Sequence, residues 1–261
     1  MSVAIWCPGD GLGHLTRAVA ASHTLGMAPA GVTLLVDDPS AVDRRLTGDH
    51  PLDVARLPLE GMEELWVDAL PSGRGELTVA ALAGVSTVNH LARRLDWRRY
   101  QRLLPAAPPR FDRVLVTEPL PDQQRGWLAS RSRSVEDVEL HDPPALPPPA
   151  DIVDLVRGSW LVVHSGPRSE VEELVATARD TARVARTTAR VVVVGTGGHD
   201  VLPAWPLLAL AERLFTGGGA NTIRQVRLHA PGAAHTAVPF PRRHDDQAAR
   251  LARLRTAATA R

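Results

Sequence analysis

Val3-Ala4-Ile5-Trp6-Cys7-Pro8-Gly9-Asp10-Gly11-Leu12-Gly13-His14-Leu15-Thr16-Arg17 is the stretch on which the fold turns. Ser2 to Cys7 reads as a short buried strand, Pro8 and Gly9 punctuate it, and Leu15 to Leu25 carries apolar residues at helical spacing. The unit is strand, turn, helix. Glycine lets the backbone approach a ligand closely, and a helix N-terminus offers unpaired N–H groups and a positive dipole end that favours phosphate or carboxylate. His14 closes the turn, and an imidazole of unperturbed pKa about 6.5 can accept a proton at working pH. The spacing is not the dinucleotide fingerprint, because Thr16 stands where Gly11-x-Gly13-x-x-Gly needs its third glycine. Two readings of His14 stay open at this point: a group that moves a proton, or one that caps the helix or holds the ligand.

The chain has 261 residues, enough for one large domain or two small ones. Thirty basic residues stand against 29 acidic ones, so no bulk basic field points to nucleic acid. Every basic residue is arginine, and Asn89 and Asn221 are the two asparagines, a habit of GC-rich sources, with high growth temperature as a second explanation. Cys7 is the single cysteine, which excludes an intrachain disulfide and a cysteine-based zinc cluster and makes a reducing cytoplasm the simplest compartment. The first residues do not read as a signal peptide, and no apolar run approaches the roughly 20 residues of a membrane span. A soluble protein is expected. Peripheral contact with a membrane through an apolar or Arg-rich face stays open.

Working outward, apolar runs recur at Val32 to Val36, Val54 to Leu57, Arg113 to Val116, Trp160 to Val163 and Val191 to Val194. They are nearly continuous rather than alternating, the mark of strands covered on both faces, and helical patterns lie between them. The fold class is therefore α/β with parallel sheets. Pro143-Pro144-Ala145-Leu146-Pro147-Pro148-Pro149-Ala150 continues neither a sheet nor a helix and reads as a stiff spacer. A domain boundary is placed there, giving lobes 1–145 and 146–261, each opening with an apolar strand that runs into a glycine-bearing turn. Two such lobes facing one another would form a cleft. Leu77 to Leu104 is mostly helical in pattern, with Trp97 and Tyr100 turned inward and Arg98 and Arg99 solvated. Arg250 to Arg261 reads as a solvated helix face with a frayed end.

In the second half, His164-Ser165-Gly166-Pro167-Arg168-Ser169-Glu170 follows a strand and leads into a helix from about Val171. Ser165 and the backbone of Gly166 could hold a phosphate and Arg168 neutralise it, or the segment is an ordinary capped helix start. Phe215-Thr216-Gly217-Gly218-Gly219-Ala220-Asn221-Thr222-Ile223-Arg224-Gln225 then takes a strand end through three glycines into another helix. Three adjacent glycines cost ordering entropy that a plain loop rarely needs, and the carboxyl edge of an open α/β sheet is where ligands bind. Farther on, Asp246 and Gln247 offer acceptors and donors suited to sugar hydroxyls.

Taken together, the Gly11–Arg17 turn of pattern GxGHxxR, the Gly-Gly-Gly-Ala-Asn-Thr turn, and Pro239 with Asp246-Gln247 before the last helix resemble the GT-B nucleotide-sugar glycosyltransferases. The likeness is to those of family 28, similar to the bacterial enzyme that adds N-acetylglucosamine to the lipid-linked peptidoglycan precursor. The resemblance implies two Rossmann-like lobes about a central cleft, the second binding a nucleoside diphosphate sugar, UDP in the first instance, and the first holding the acceptor. It implies that Ser165, Gly166, Arg168, Gly218, Gly219, Ala220, Asn221 and Thr222 grip the diphosphate. Leu202 and Trp205, in Val201 to Trp205, would lie beside the base, and Gln225 stands where such enzymes often carry a ribose-binding glutamate. Asp246 and Gln247 would face the sugar, with Gly11, Gly13 and Arg17 on the substrate side and His14 as the base or an acceptor-binding group.

The expected function is inverting, metal-independent hexosyl transfer, with no cofactor, in a bacterial cytoplasm or at the inner face of its membrane, to an unknown acceptor for which a lipid-linked one stays open. The chain carries no Asp-x-Asp motif, and Asp37-Asp38 and Asp245-Asp246 read as solvated or sugar-contacting pairs. Two alternatives stay open: a nucleotide-sugar hydrolase, similar to the UDP-sugar hydrolase of pseudaminic acid synthesis with its own GxGHxxR turn, and a non-catalytic nucleotide-sugar-binding or regulatory protein. Oligomeric state leaves no trace in the sequence.

Overall fold

The computed structural model describes residues 2–7, 9, 11–59 and 61–259. Pro8 of the first turn, and Ala260 and Arg261 of the Arg-rich end, lie outside the described residues. The chain divides into two compact units, Met1–Pro143 with Arg243–Asp246, and Pro144–Arg242 with Gln247–Arg261.

In the first unit the elements run β1 (Val3–Trp6), α1 (Leu12–Thr24), β2 (Val32–Val36), α2 (Arg44–Thr47), β3 (Leu52–Val54), β4 (Glu64–Ala69), β5 (Pro71–Arg74), β6 (Thr87–Ala92), α3 (Trp97–Tyr100), β7 (Phe111–Val116), α4 (Asp122–Ala129) and β8 (Ser132–Asp137). Seven strands form one parallel sheet in the order β3-β2-β1-β4-β6-β7-β8. Successive side chains of a strand point to opposite faces. Ala4 and Trp6 of β1 and Leu65 and Val67 of β4 therefore fill one core, while Ile5, Cys7 and Trp66 fill the other. The second core is closed by α1 through Leu15, Ala18 and Val19.

The second unit runs α5 (Ala150–Val156), β9 (Trp160–His164), α6 (Arg168–Val184), β10 (Val191–Gly195), β11 (Arg213–Gly217), α7 (Ala220–His229), β12 (Ala234–Val238) and α8 (Gln247–Thr259). Its four strands are parallel in the order β10-β9-β11-β12. Trp160, Val162 and Phe215 pack with Leu174 and Ala178 of α6 on one face, and Leu161, Val194 and Leu214 with Val226 of α7 on the other. Both units are thus α/β with parallel, doubly covered sheets.

Three segments differ from the sequence expectation. The third strand is Leu52–Val54 rather than Val54 to Leu57; it pairs Leu34 with Leu52 and Val36 with Val54, and Pro58 follows soon after. Leu77 to Leu104 is not mainly helical. Thr87-Val88-Asn89-His90-Leu91-Ala92 is a strand between β4 and β7, and helix is confined to Trp97–Tyr100 and a short 3₁₀ turn. Val88, Leu91 and Leu95 do recur at helical spacing, but burial between two parallel strands outweighs that weak local period. β4 carried no recognised strand signal, because Glu64 and Asp68 flank its short apolar centre, Leu65-Trp66-Val67. Trp97 and Tyr100 are buried, with Arg98 and Arg99 exposed, as the sequence suggested.

Candidate functional site

In each sheet the strand order reverses beside the unit's first strand: between β1 and β4, and between β9 and β11. Loops leaving the carboxyl ends of such neighbours diverge, and the crevice they leave is where open α/β sheets bind ligands. Both crevices hold a histidine bonded to a carboxylate.

At the first, α1 presents His14 and Arg17, one turn apart, to the end of β4. His14 Nδ1 lies 2.6 Å from Asp68 Oδ2. Arg17 donates from Nε to Asp68 Oδ1 at 2.5 Å and from Nη2 to Oδ2 at 2.6 Å. The Asp68 side chain is 0% exposed, that of Arg17 4% and that of His14 17%. Burial alone would raise the Asp68 carboxyl, but the Arg17 charge and the His14 hydrogen bond outweigh it and hold it at about 2. Burial lowers the His14 imidazole below its ordinary value; Asp68 opposes this, and the charges of Arg17 and Arg93 reinforce it. A neutral His14 then donates a hydrogen bond from Nδ1–H to the ionised Asp68 and keeps the lone pair on Nε2. Nε2 faces the Gly9 turn, 3.6 Å from where a Cβ on that residue would stand. Gly9 has φ +110, a left-handed conformation suited to glycine, and its N–H donates to Asp37, which also approaches Arg74 at 3.6 Å.

Sequence reasoning singled out His14 and Arg17 but not Asp68, which comes from the unread strand 54 residues away. Arg17 was assigned to substrate; its guanidinium is instead buried on Asp68. Gly11 caps α1 without a side-chain bond, and Gly13 lies in the helix's first turn.

At the second crevice, His164 Nε2 lies 2.7 Å from Glu170 Oε2, and Arg242 donates to both Glu170 oxygens at 2.6 and 2.5 Å. Hydrogen bonds from Arg242 hold the Glu170 carboxyl below its usual range. The His164 ring lies against the glycine turn: a Cβ on Gly217 would meet its Cε1 at 2.8 Å, and one on Gly218 would meet Leu251 and Gln247 at 3.1 and 3.2 Å. The protein's own side chains thus account for two of the three glycines, and Gly219 caps α7.

The remaining candidates divide. Ser165 and Gly166 lie between β9 and α6, beside His164, while Ala220, Asn221, Thr222 and Gln225 form the first turns of α7. Arg168 is 80% exposed and pairs with Glu172 of its own helix. Trp205 stacks on His229 with ring centroids 4.2 Å apart, at the C-terminal end of α7, so it is not brought to the turn where that helix begins; Leu202 precedes a cis proline nearby. Gln247 is buried and its Oε1 accepts from Phe240 N at 2.9 Å. Asp246 belongs to the first unit, where it approaches Arg94 at 3.8 Å while Asp245 pairs with Arg93 at 2.6 Å. His164 and Arg242 were missed, although a histidine ending an apolar strand was a visible signal. Among the described residues no three His, Cys, Asp or Glu side chains converge as a metal site, and no helix is long and apolar enough to cross a membrane.

No family model and no curated protein sequence matches the chain. Solved structures do. The spinosyn rhamnosyltransferase SpnG, complexed with thymidine diphosphate, is similar with a TM-score of 0.55 at 15% identity, over 97% of this chain and 84% of its own. The fold is that of the GT-B glycosyltransferases. The glycosyltransferase of kitacinnamycin gives a TM-score of 0.54 at 13% identity, over 97% and 84% of the two chains. The glycosyltransferase SnogD from Streptomyces nogalater gives 0.51 at 16% identity, over 97% and 85%.

Proposed function

We propose that the protein transfers a glycosyl group from a nucleoside diphosphate sugar to an acceptor hydroxyl, with inversion and without a metal ion. The observation that carries this reading is the His14–Asp68 hydrogen bond at the switch point of a parallel sheet, in a chain with a glycosyltransferase fold. His14 Nε2 takes the acceptor's O–H proton as that oxygen attacks the anomeric carbon, and the bond from that carbon to the diphosphate oxygen breaks. Asp68 orients the imidazole and stabilises its protonated form, as a carboxylate does behind any histidine base.

The first lobe, 1–145, takes the acceptor in this reading, and the second, 146–261, the donor. Ser165, Gly166 and the start of α7 at Gly219 to Thr222 supply N–H groups to the departing diphosphate, while Gly218, whose own N–H is held by Val238 O, keeps the turn close to it. Asn221, Thr222 and Gln225 are polar side chains in the first turns of that helix, and Asp246 and Gln247 remain assigned to the sugar. SpnG is described with thymidine diphosphate, which widens the expected donor from UDP-sugars to pyrimidine nucleoside diphosphate sugars. The affiliation with the peptidoglycan N-acetylglucosaminyltransferases, and with it a lipid-linked acceptor at the cytoplasmic membrane face, rests on the Gly11–Arg17 and Gly217–Thr222 motifs.

Uridine or thymidine diphosphate should raise the melting temperature in a concentration-dependent way, because a ligand that binds the native state stabilises it. No response to either would remove the donor assignment. His14→Ala should lower sugar transfer about 10²–10⁴-fold while leaving the nucleotide-induced shift intact. Full turnover in that variant would sink the base assignment, and release of free sugar without an acceptor would reassign the protein as a hydrolase.

A further inference from the structure

We propose that Arg17 is a positioning residue for His14: it clamps both oxygens of Asp68, leaving the carboxylate one orientation in which to accept the Nδ1 proton, and it cancels the charge through which Asp68 would otherwise make the imidazole a cation. The inference rests on the reading of His14 as the base.

The geometry is specific. His14 and Arg17 stand three residues apart on α1, so both reach the same carboxylate from one helix face. Asp68 Oδ1 accepts from Arg17 Nε, while Oδ2 accepts from Arg17 Nη2 and faces His14 Nδ1. Two parallel N–H···O bonds from a planar guanidinium fix the plane of a carboxylate, which a lysine ammonium cannot do. With Asp68 so held, the imidazole has one bonding partner on its Nδ1 side and Nε2 is turned toward the Gly9 turn.

Charge follows the same contacts. A buried carboxylate alone favours an imidazolium beside it, whereas Asp68 and Arg17 together form a neutral pair, so that protonating His14 adds a net positive charge to a desolvated site. The groups around His14 agree in sign. Arg93, after β6, repels the proton as Arg17 does, and His90 of β6 is itself held neutral by burial, at about 4. The Cys7 thiol, at the end of β1, is pushed up by burial and stays protonated. Arg74 of β5 lies on the Gly9 side, countered by Asp37, and Glu118 after β7 acts on Arg17. The device keeps a ready acceptor atom below neutral pH.

The test is a ¹⁵N-histidine NMR titration of the full chain, with the His14 signal assigned by a His14→Gln variant. Wild-type His14 should titrate below 6.5, with the proton on Nδ1 and the lone pair on Nε2. Arg17→Gln should raise the titration by about one pH unit. Arg17→Lys, which keeps the charge and loses the fork, should leave the titration low but mix the two tautomers. In a transfer assay both variants should lose about tenfold or more in kcat, with the KM for the nucleotide sugar unchanged. A wild-type His14 that titrates above 7, or Arg17 variants with melting transitions whose His14 titration and tautomer match the wild type, would overturn the proposal. If Arg17→Gln does not fold, the wild-type titration and the lysine variant decide. Loss of turnover in His14→Ala with normal Arg17 variants would leave the base reading standing without this one, and full turnover in His14→Ala would remove both.

Discussion

Each unit sets a histidine, a carboxylate and an arginine at the reversal point of its sheet, but the two clusters are built in opposite directions. In the first, the strand supplies the carboxylate and the helix both the histidine and the arginine; in the second, the helix α6 supplies Glu170, His164 ends β9 and Arg242 follows β12. Burial differs as well: Asp68 and Arg17 are 0% and 4% exposed, against 14% and 33% for Glu170 and Arg242. A charge pair sealed from water is dominated by its own members, while a partly exposed one is screened by solvent. The first cluster can therefore set the protonation of His14, whereas the second mainly fixes the His164 ring against the glycine turn.

Removing one carboxylate from each cluster should separate them most. Asp68→Ala leaves Arg17 buried without its counter-charge and should cost about 3–5 kcal/mol in urea denaturation. Glu170→Ala should cost about 1 kcal/mol or less, since water reaches both Glu170 and Arg242. Equal losses would erase the distinction.

Buried histidines offer a second contrast. Burial holds both His90, in the first unit, and His235, in the second, at about 4. The unfolded chain takes up these protons near 6.5, before the folded state does, so this stability is complete above pH 6.5 and is lost as pH falls toward 4. His90 is fully buried and should contribute about 3 kcal/mol over that window, with a smaller share from the half-buried His235. Urea midpoints at pH 7 and pH 4.5 for His90→Gln and His235→Gln would show it, and an unchanged slope in His90→Gln would break the argument.

The glycine turns should give the smallest difference. A Cβ on Gly217 meets the His164 ring, held in turn by Glu170, so Gly217→Ala should cost about 1–3 kcal/mol and weaken nucleotide binding. At Gly11 the nearest atom to an added Cβ is Gly13 N at 4.0 Å and φ is −100, so Gly11→Ala should stay within about 1 kcal/mol of wild type by melting temperature. A destabilised Gly11→Ala would mean that the first turn is as tightly packed as the second.

Much of this was legible locally. Apolar runs such as Val32 to Val36 and Trp160 to Val163, and the turns at Gly11 and Gly217, announce themselves within a few residues, because strand burial and helix starts are local preferences. His14 and Arg17 were legible in the same way. The rest required partners distant in the chain: Glu170 and Arg242 are 72 residues apart, and no spacing rule links them. β6 was misread because apolar spacing does not reveal which neighbours will pair with a segment.

By itself the sequence determined the class of the fold, α/β with parallel sheets, and the turns at which chemistry could sit, since hydrophobic continuity and glycine placement act over short range. The tertiary structure decided what the chemistry can be. Pairing β4 between β1 and β6 carries Asp68 under α1, out of water and onto both His14 and Arg17. The protonation of an imidazole depends on the charges and solvent around it, and those are properties of the assembled sheet.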